Sequence, residues 1–230
     1  MSTSPLQPHF RLRSFVRRDG RATLGQQQAY ANLWPHFGLQ VEEKTLNYQQ
    51  VFGREAPCLL EIGFGSGQSL IALAKAHPEK NFIGVETHRP GIGALFLGMK
   101  THGLQNLRIY YSDVIDVLEK CIPATSLDSV QLFFPDPWPK RRHHPRRLIQ
   151  LAFVSLVTSK LKPGGTLHLA TDWEDYAIHM LRTLEKSEGI KNLAGENQYA
   201  LRSCYRPIIT KFEQRAIHAG RKIFDLQFIK

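Results

Sequence analysis

A chain of 230 residues with 42% hydrophobic content is long enough for one α/β domain with a short extension, or at most two small domains. Its net charge of +10 favours nucleic acid or an anionic surface as a partner and says nothing about fold. No apolar run approaches the roughly 20 residues of a spanning helix. The start of the chain carries no apolar signal region, and Cys58, Cys121 and Cys204 are odd in number and unpatterned. The expectation is a cytoplasmic protein with reduced thiols and neither membrane partner nor metal.

Residues 1 to about 23 are polar, with Arg11, Arg13, Arg17, Arg18 and Arg21 closely set. They read either as a partly ordered arm or as a disordered tail. Gln26 to Phe37 follows as a helix, with Tyr30, Leu33 and Trp34 at core-packing spacing. Arm and helix form an N-terminal region over residues 1–50, and residues 51–230 form the main domain.

From Cys58 the pattern becomes regular. Cys58–Ile62 is a short apolar run ending in Gly63-Phe64-Gly65-Ser66-Gly67, and a helix continues through Leu70–Ala76. Phe82–Val85 ends at Glu86, a helix spans Gly91–Thr101, and Leu107–Tyr111 ends at Ser112-Asp113 before a short helix through Leu118. Ser129–Phe134 is the fourth apolar run. Leu148–Leu161 is predicted as an amphipathic helix stopped by Lys162-Pro163-Gly164-Gly165. Thr166–Ala170 ends at Thr171-Asp172, Tyr176–Leu184 is helical, and Ile223–Ile229 is a last strand. Strands that alternate with helices and are continuously apolar predict an α/β fold with a parallel sheet covered on both faces. Ligands bind such sheets outside the carboxyl ends of the strands. Glu61, Glu86, Asp113, Asp136 and Asp172 all fall at or next to those ends.

The glycine loop permits a sharp turn and close approach of backbone to a ligand. Its spacing, G-x-G-x-G, differs from the G-x-G-x-x-G dinucleotide fingerprint, and it lacks the third position that packs a helix beneath a pyrophosphate. Glu86, at the end of the next strand, sits where an acid binds ribose hydroxyls. Glu61 would repel a pyrophosphate but could hold an ammonium. Together these favour S-adenosylmethionine over a nicotinamide dinucleotide. Asp113 either accepts from an adenine amino group or caps the following helix.

The most specific stretch is Phe133-Phe134-Pro135-Asp136-Pro137-Trp138-Pro139, which leads into Lys140-Arg141-Arg142-His143-His144-Pro145-Arg146-Arg147. Prolines on both sides stiffen the turn that presents Asp136. The basic run reads either as a solvated face or as a phosphate-binding strip. Trp138 either stacks on an exposed base or packs beneath the loop.

The E-I-G-F-G-S-G loop, the F-F-P-D-P-W-P-K segment, Thr171-Asp172 and Thr210-Lys211-Phe212-Glu213 together resemble bacterial tRNA (guanine-N7)-methyltransferases, as do Arg13-Ser14-Phe15, Gly20-Arg21, Gly25-Gln26-Gln27 and Glu86 with His88-Arg89-Pro90-Gly91. The resemblance implies a Rossmann-like class I fold: a mostly parallel seven-stranded sheet with helices on both faces and an antiparallel C-terminal strand. It implies transfer of a methyl group from S-adenosylmethionine to N7 of guanine at position 46 of the tRNA variable loop. By the same carry-over, Glu61, Gly63, Gly65, Glu86, Asp113 and Asp136 line the cofactor site, with Asp136 also catalytic. Lys140, Asp172, Thr210, Lys211, Phe212 and Glu213 contact substrate, and Arg142, His143, His144, Pro145, Arg146 and Arg147 touch RNA. No obligatory protein partner is expected, and the chain is a monomer or homodimer. Two competing readings are another RNA methyltransferase and an RNA-binding protein that keeps the fold without the activity.

Overall fold

The computed structural model describes residues 20–230, so Arg11, Arg13, Arg17 and Arg18 of the basic arm, with Ser14 and Phe15, lie outside the described residues. Helix α1 (Leu24–Phe37) opens on a capping box: Thr23 and Gln26 exchange side-chain-to-backbone hydrogen bonds. The chain then runs β1 (Gly38–Leu39), α2 (Tyr48–Phe52), β2 (Cys58–Ile62), α3 (Gln68–Ala76), β3 (Asn81–Glu86), α4 (Arg89–His102), β4 (Leu107–Tyr111), α5 (Val114–Lys120) and β5 (Leu127–Phe133). A 3-10 turn (Arg141–Arg146) precedes α6 (Leu151–Lys160), β6 (Leu161–Thr171), α7 (Glu174–Glu185), β7 (Lys191–Asn192), α8 (Lys211–His218) and β8 (Phe224–Ile229).

The strands form one eight-stranded sheet in the order β1-β4-β3-β2-β5-β6-β8-β7. Pairing is parallel from β1 through β6 and antiparallel between β6 and β8 and between β8 and β7. The expected sheet is therefore present. The strand count differs by short edge pieces, because β1 and β7 have two residues each and leave no periodic signal. The order reverses between β2 and β5, so the crevice used by doubly wound sheets opens at their carboxyl ends.

One boundary moved. Leu161 pairs with Leu127 of β5, so the helix over 151–160 ends one residue earlier and β6 begins at once. Gly164, at φ +79°, takes the kink that lets the strand absorb Lys162-Pro163-Gly164-Gly165.

The two faces of the sheet are covered differently. On one, α5, α6 and α7 bury a continuous apolar core that includes Leu60, Val130, Leu132, Leu167, Leu169, Leu226 and Phe228. On the other, α1, α3 and α4 close over β2, β3 and β4 through Leu59, Phe82, Ile109, Leu95 and Phe96. Helix α1 is part of this packing: a Cβ at Gly93 of α4 would meet the carbonyl of Gln26 at 2.6 Å. The remaining part of this second face, over β5, β6 and β8, carries Gln131, His168 and Asp225 instead of aliphatic side chains, all buried. Cys58 and Cys121 are buried free thiols, and burial pushes Cys58 up to about 12. No helix among the described residues is long and apolar enough to cross a membrane.

Candidate active site

The loop after β2 is built by glycine. Gly63, Gly65 and Gly67 take φ of +68°, +59° and +73°. A Cβ at Gly63 or Gly65 would meet nothing within 4 Å, so these two leave an open cradle. Gly67 does a different job: it caps α3, and a Cβ there would strike Leu95 of α4. Gly67 thus serves the approach of α3 to α4.

Glu86 ties the cradle to β3. Its Oε2 accepts from the Gly65 N–H at 2.8 Å, and its Oε1 accepts from Thr87 and His88 at 2.6 and 3.0 Å. A carboxylate has about four acceptor positions, which leaves Glu86 capacity for a further donor such as a hydroxyl. Glu61 lies beside it, 4% exposed. Burial, and secondarily the Glu86 carboxylate, push Glu61 up to about 8. Its Oε2 is buried with no hydrogen-bond partner. A buried acid with one orphaned oxygen costs free energy unless a cation or donor meets it. Asp113 is the N-cap of α5, its Oδ1 accepting from Ile115 N–H at 3.0 Å. The cap reading is therefore realised at one oxygen.

An open glycine cradle, an orphaned buried carboxylate oxygen and a half-engaged strand-end acid suit a ligand that combines an ammonium with ribose hydroxyls. The residues present fit S-adenosylmethionine.

Asp136 stands exposed on the loop after β5, between Pro135 and Pro137. The loop leaves the strand through Phe134 at φ +53° and turns again at Trp138 at φ +45°. Left-handed aromatic residues cost of order 1 kcal/mol or more each and persist where the surroundings impose them. The main restraint is Arg147. This side chain is 1% exposed, its Nε donates to the Pro137 carbonyl at 2.9 Å, and its Nη2 pairs with Asp175 of α7. It also lies 4.9 Å over the Tyr176 ring. Trp138 packs inside the loop, edge-on to His143 at 5.8 Å and under Arg146 at 5.0 Å. The outward cations are Lys140, Arg141 and Arg142, with Pro145 exposed among them and His143, His144 and Arg146 half-buried. Burial against the loop, then Arg142, Arg146 and Lys140, hold His143 below the usual imidazole value, so near neutral pH it adds little charge.

Asp172 follows β6 and pairs with Arg221 Nε at 3.0 Å. It lines a groove with Trp173, Gly220, Arg221 and Lys222. The Thr210–Glu213 stretch, which looks like a polar loop in the sequence, is the first turn of α8. Thr210 Oγ1 accepts from the Glu213 N–H at 3.2 Å, the T-x-x-E pattern of a helix start. Lys211 and Phe212 are exposed, whereas Glu213 is 2% exposed and faces inward onto Arg206. The strand-end acids therefore gather along one rim, and the basic run continues from it. Arg147 and Glu213 are spent on internal pairs. Arg206, Asp225 and His168 were not singled out by the sequence, since a lone arginine in a polar stretch carries no periodic signal.

The family model described as "Putative methyltransferase" matches residues 55–226. The chain belongs to this methyltransferase family. It is 52% identical over 96% of its length to a tRNA (guanine-N(7)-)-methyltransferase of Alcanivorax borkumensis, of which it covers 92%. A Pseudomonas putida protein of the same name is 53% identical over 97% of this chain and 93% of its own. Among solved structures, the 16S rRNA methyltransferase KamB aligns with a TM-score of 0.57 at 14% identity, covering 80% of this chain and 92% of its own. A 16S rRNA (adenine(1408)-N(1))-methyltransferase from Catenulisporales acidiphilia gives 0.53 at 16%, over 83% and 97%. At such identities the two structures speak for the class I methyltransferase fold alone. The expected family and fold are thereby borne out.

Proposed function

We propose that this protein methylates N7 of guanine at position 46 of the tRNA variable loop, with S-adenosylmethionine as methyl donor. What carries the reading is one juxtaposition. The glycine cradle with the orphaned Glu61 oxygen opens at the sheet edge where the Asp136 loop begins, and that loop continues without a break into exposed arginines. The similarity to curated tRNA (guanine-N(7)-)-methyltransferases supports the same substrate.

Glu61 would meet the ammonium end of the donor, Glu86 its ribose hydroxyls, and Asp113 its adenine, with Gly63 and Gly65 giving room. When bound, S-adenosylmethionine supplies a methyl group activated by a sulfonium centre. Guanine N7 is an acceptor that carries no proton, so the chain needs no base at the attacking atom. Its residues must orient the ring and answer the positive charge that develops on it. Alignment of bound partners can supply roughly 7–11 kcal/mol of a barrier. Asp136 and Asp172, at the ends of neighbouring strands, accept from the guanine N1–H and N2–H₂ and thereby hold N7 forward. For Asp172 this means exchanging Arg221 for the base. Lys140, Arg141 and Arg142 bind phosphates. Trp138 stiffens the loop and Arg147 fastens it to α7.

Labelled S-adenosylmethionine and unmodified tRNA transcripts test this. Label is expected in a transcript with guanine at position 46 and absent when 7-deazaguanine, which lacks N7, replaces it. Asp136→Asn is expected to lower kcat by roughly 10²-fold or more. Methylation of ribosomal RNA in place of tRNA, or equal labelling of the 7-deaza transcript, would overturn the reading.

A further inference from the structure

The largest fully buried side chain among the described residues is that of Arg206, which belongs to neither the glycine loop nor the Asp136 loop. Its surroundings follow from how the second face of the sheet is covered. Over β5, β6 and β8 no helix lays down an apolar stripe. The cover is the segment 199–221, irregular apart from α8 and attached to β8 by the Ala200–Asp225 bridge. The strands answer it with polar side chains, Gln131 and His168 paired in register and Asp225 two residues from Gln227, the partner of His168.

Arg206 joins three parts of the molecule at this face. Its Nη1 donates to Asp225 Oδ2 at 2.5 Å, and its Nη2 lies 2.5 Å from Glu213 Oε1 in α8. Its guanidinium stands 5.7 Å from the Phe133 ring and 5.4 Å from that of Phe134. The other Asp225 oxygen pairs with His168 Nε2 at 2.8 Å. Burial alone would raise Asp225, yet His168 and Arg206 hold it below the usual carboxylate value. Arg202 reaches Glu213 Oε1 from outside at 3.2 Å, and Glu213 Oε2 and Arg206 Nη2 keep no hydrogen-bond partner, so Arg206 and Glu213 meet as an ion pair. One planar fork therefore touches β8, the first turn of α8, and the end of β5 at Phe133 with Phe134 beyond it.

We propose that Arg206 is a positioning residue. It sets the 199–221 segment, with Thr210–Glu213 and Arg221, against the strand ends that bear Asp136 and Asp172, so that the guanine is held between them. This rests on the function proposed above. The geometry demands arginine: two acids at different angles and two aromatic faces need a flat, forked cation, and a lysine ammonium can meet only one of the acids.

Arg206→Lys keeps a buried cation and removes the fork, and Asp225→Asn cuts the same link from the strand side. In either variant, cofactor affinity is expected within about twofold and tRNA affinity within about threefold of wild type, while kcat falls at least tenfold. The double variant falls no further than the worse single, as for residues acting through one link. Hydrogen exchange, which needs no RNA, is expected to quicken over residues 203–219 and to stay unchanged in β2, β3 and β4. Wild-type kcat in Arg206→Lys, multiplied losses in the double variant, or unchanged exchange at 203–219 would each overturn the proposal. So would global unfolding of both single variants, which would make the link merely structural. A wild-type protein that methylates no tRNA would sink the functional reading instead, and exchange would still decide whether Arg206 anchors the segment.

Discussion

Glu61 and Glu86 are both strand-end acids of similar burial, yet their chemistry differs. Glu86 receives three backbone N–H groups, whereas one oxygen of Glu61 receives none. In the ligand-free protein burial therefore favours the neutral form of Glu61, with a folded value of about 8. The unfolded value is near 4.3. The folded state binds the proton more tightly, so its contribution to stability is complete below the unfolded value. It is lost as pH rises from about 4.3 to about 8, at no more than about 1.4 kcal/mol per pH unit for one group. Glu61→Gln is expected to remove this slope, so that the variant without ligand is more stable than wild type at pH 8.5. It should at the same time bind S-adenosylmethionine more weakly. Denaturant midpoints between pH 5 and 9, with a calorimetric titration of the cofactor, check both halves. A wild-type midpoint independent of pH would mean that Glu61 is already ionised and partnered.

At the scale of elements, α8 is a short helix that owes its start to Thr210. Removing an N-cap hydroxyl costs about 0.5–2 kcal/mol, a large share of what holds eight residues with two inward-facing side chains, Glu213 and Ala216. Thr210→Ala is expected to speed amide exchange throughout Lys211–His218, and Thr210→Ser to restore protection. If Thr210→Ala lowered activity with exchange unchanged, its hydroxyl would serve the substrate directly. This helix also marks where sequence reading succeeds and fails. The runs at Cys58–Ile62 and Leu107–Tyr111 announced β2 and β4 because a central parallel strand is apolar on both faces. The acids after them marked the rim for the same reason, since they end those runs. Thr210-Lys211-Phe212-Glu213 has the capping pattern and could have been read as a helix start. Gln131 and His168 hid inside strands that otherwise look apolar, and Arg206 hid in a polar stretch. The partners of His168 and Arg206 arrive from β8 and α8, and a contact made only in the folded chain leaves no period behind.

At the scale of the whole molecule, the net charge of +10 draws any polyanion, but only cations that reach solvent can release counterions from RNA. The basic run divides on this point. Lys140, Arg141 and Arg142 are exposed, whereas Arg147 has its guanidinium against Pro137, Asp175 and Tyr176. The two groups predict different salt behaviour. Replacing Arg141 and Arg142 by Gln should flatten the fall of log K for tRNA against log[salt] by roughly 0.7–0.9 per phosphate contact removed. Arg147→Met should leave that slope unchanged and instead lower kcat, because it frees the Pro137 carbonyl and with it the loop that presents Asp136. Filter binding across a salt series, paired with single-turnover rates, separates the two effects. Equal flattening in both variants would mean that Arg147 leaves its internal partners for RNA, and that the loop rearranges when tRNA binds.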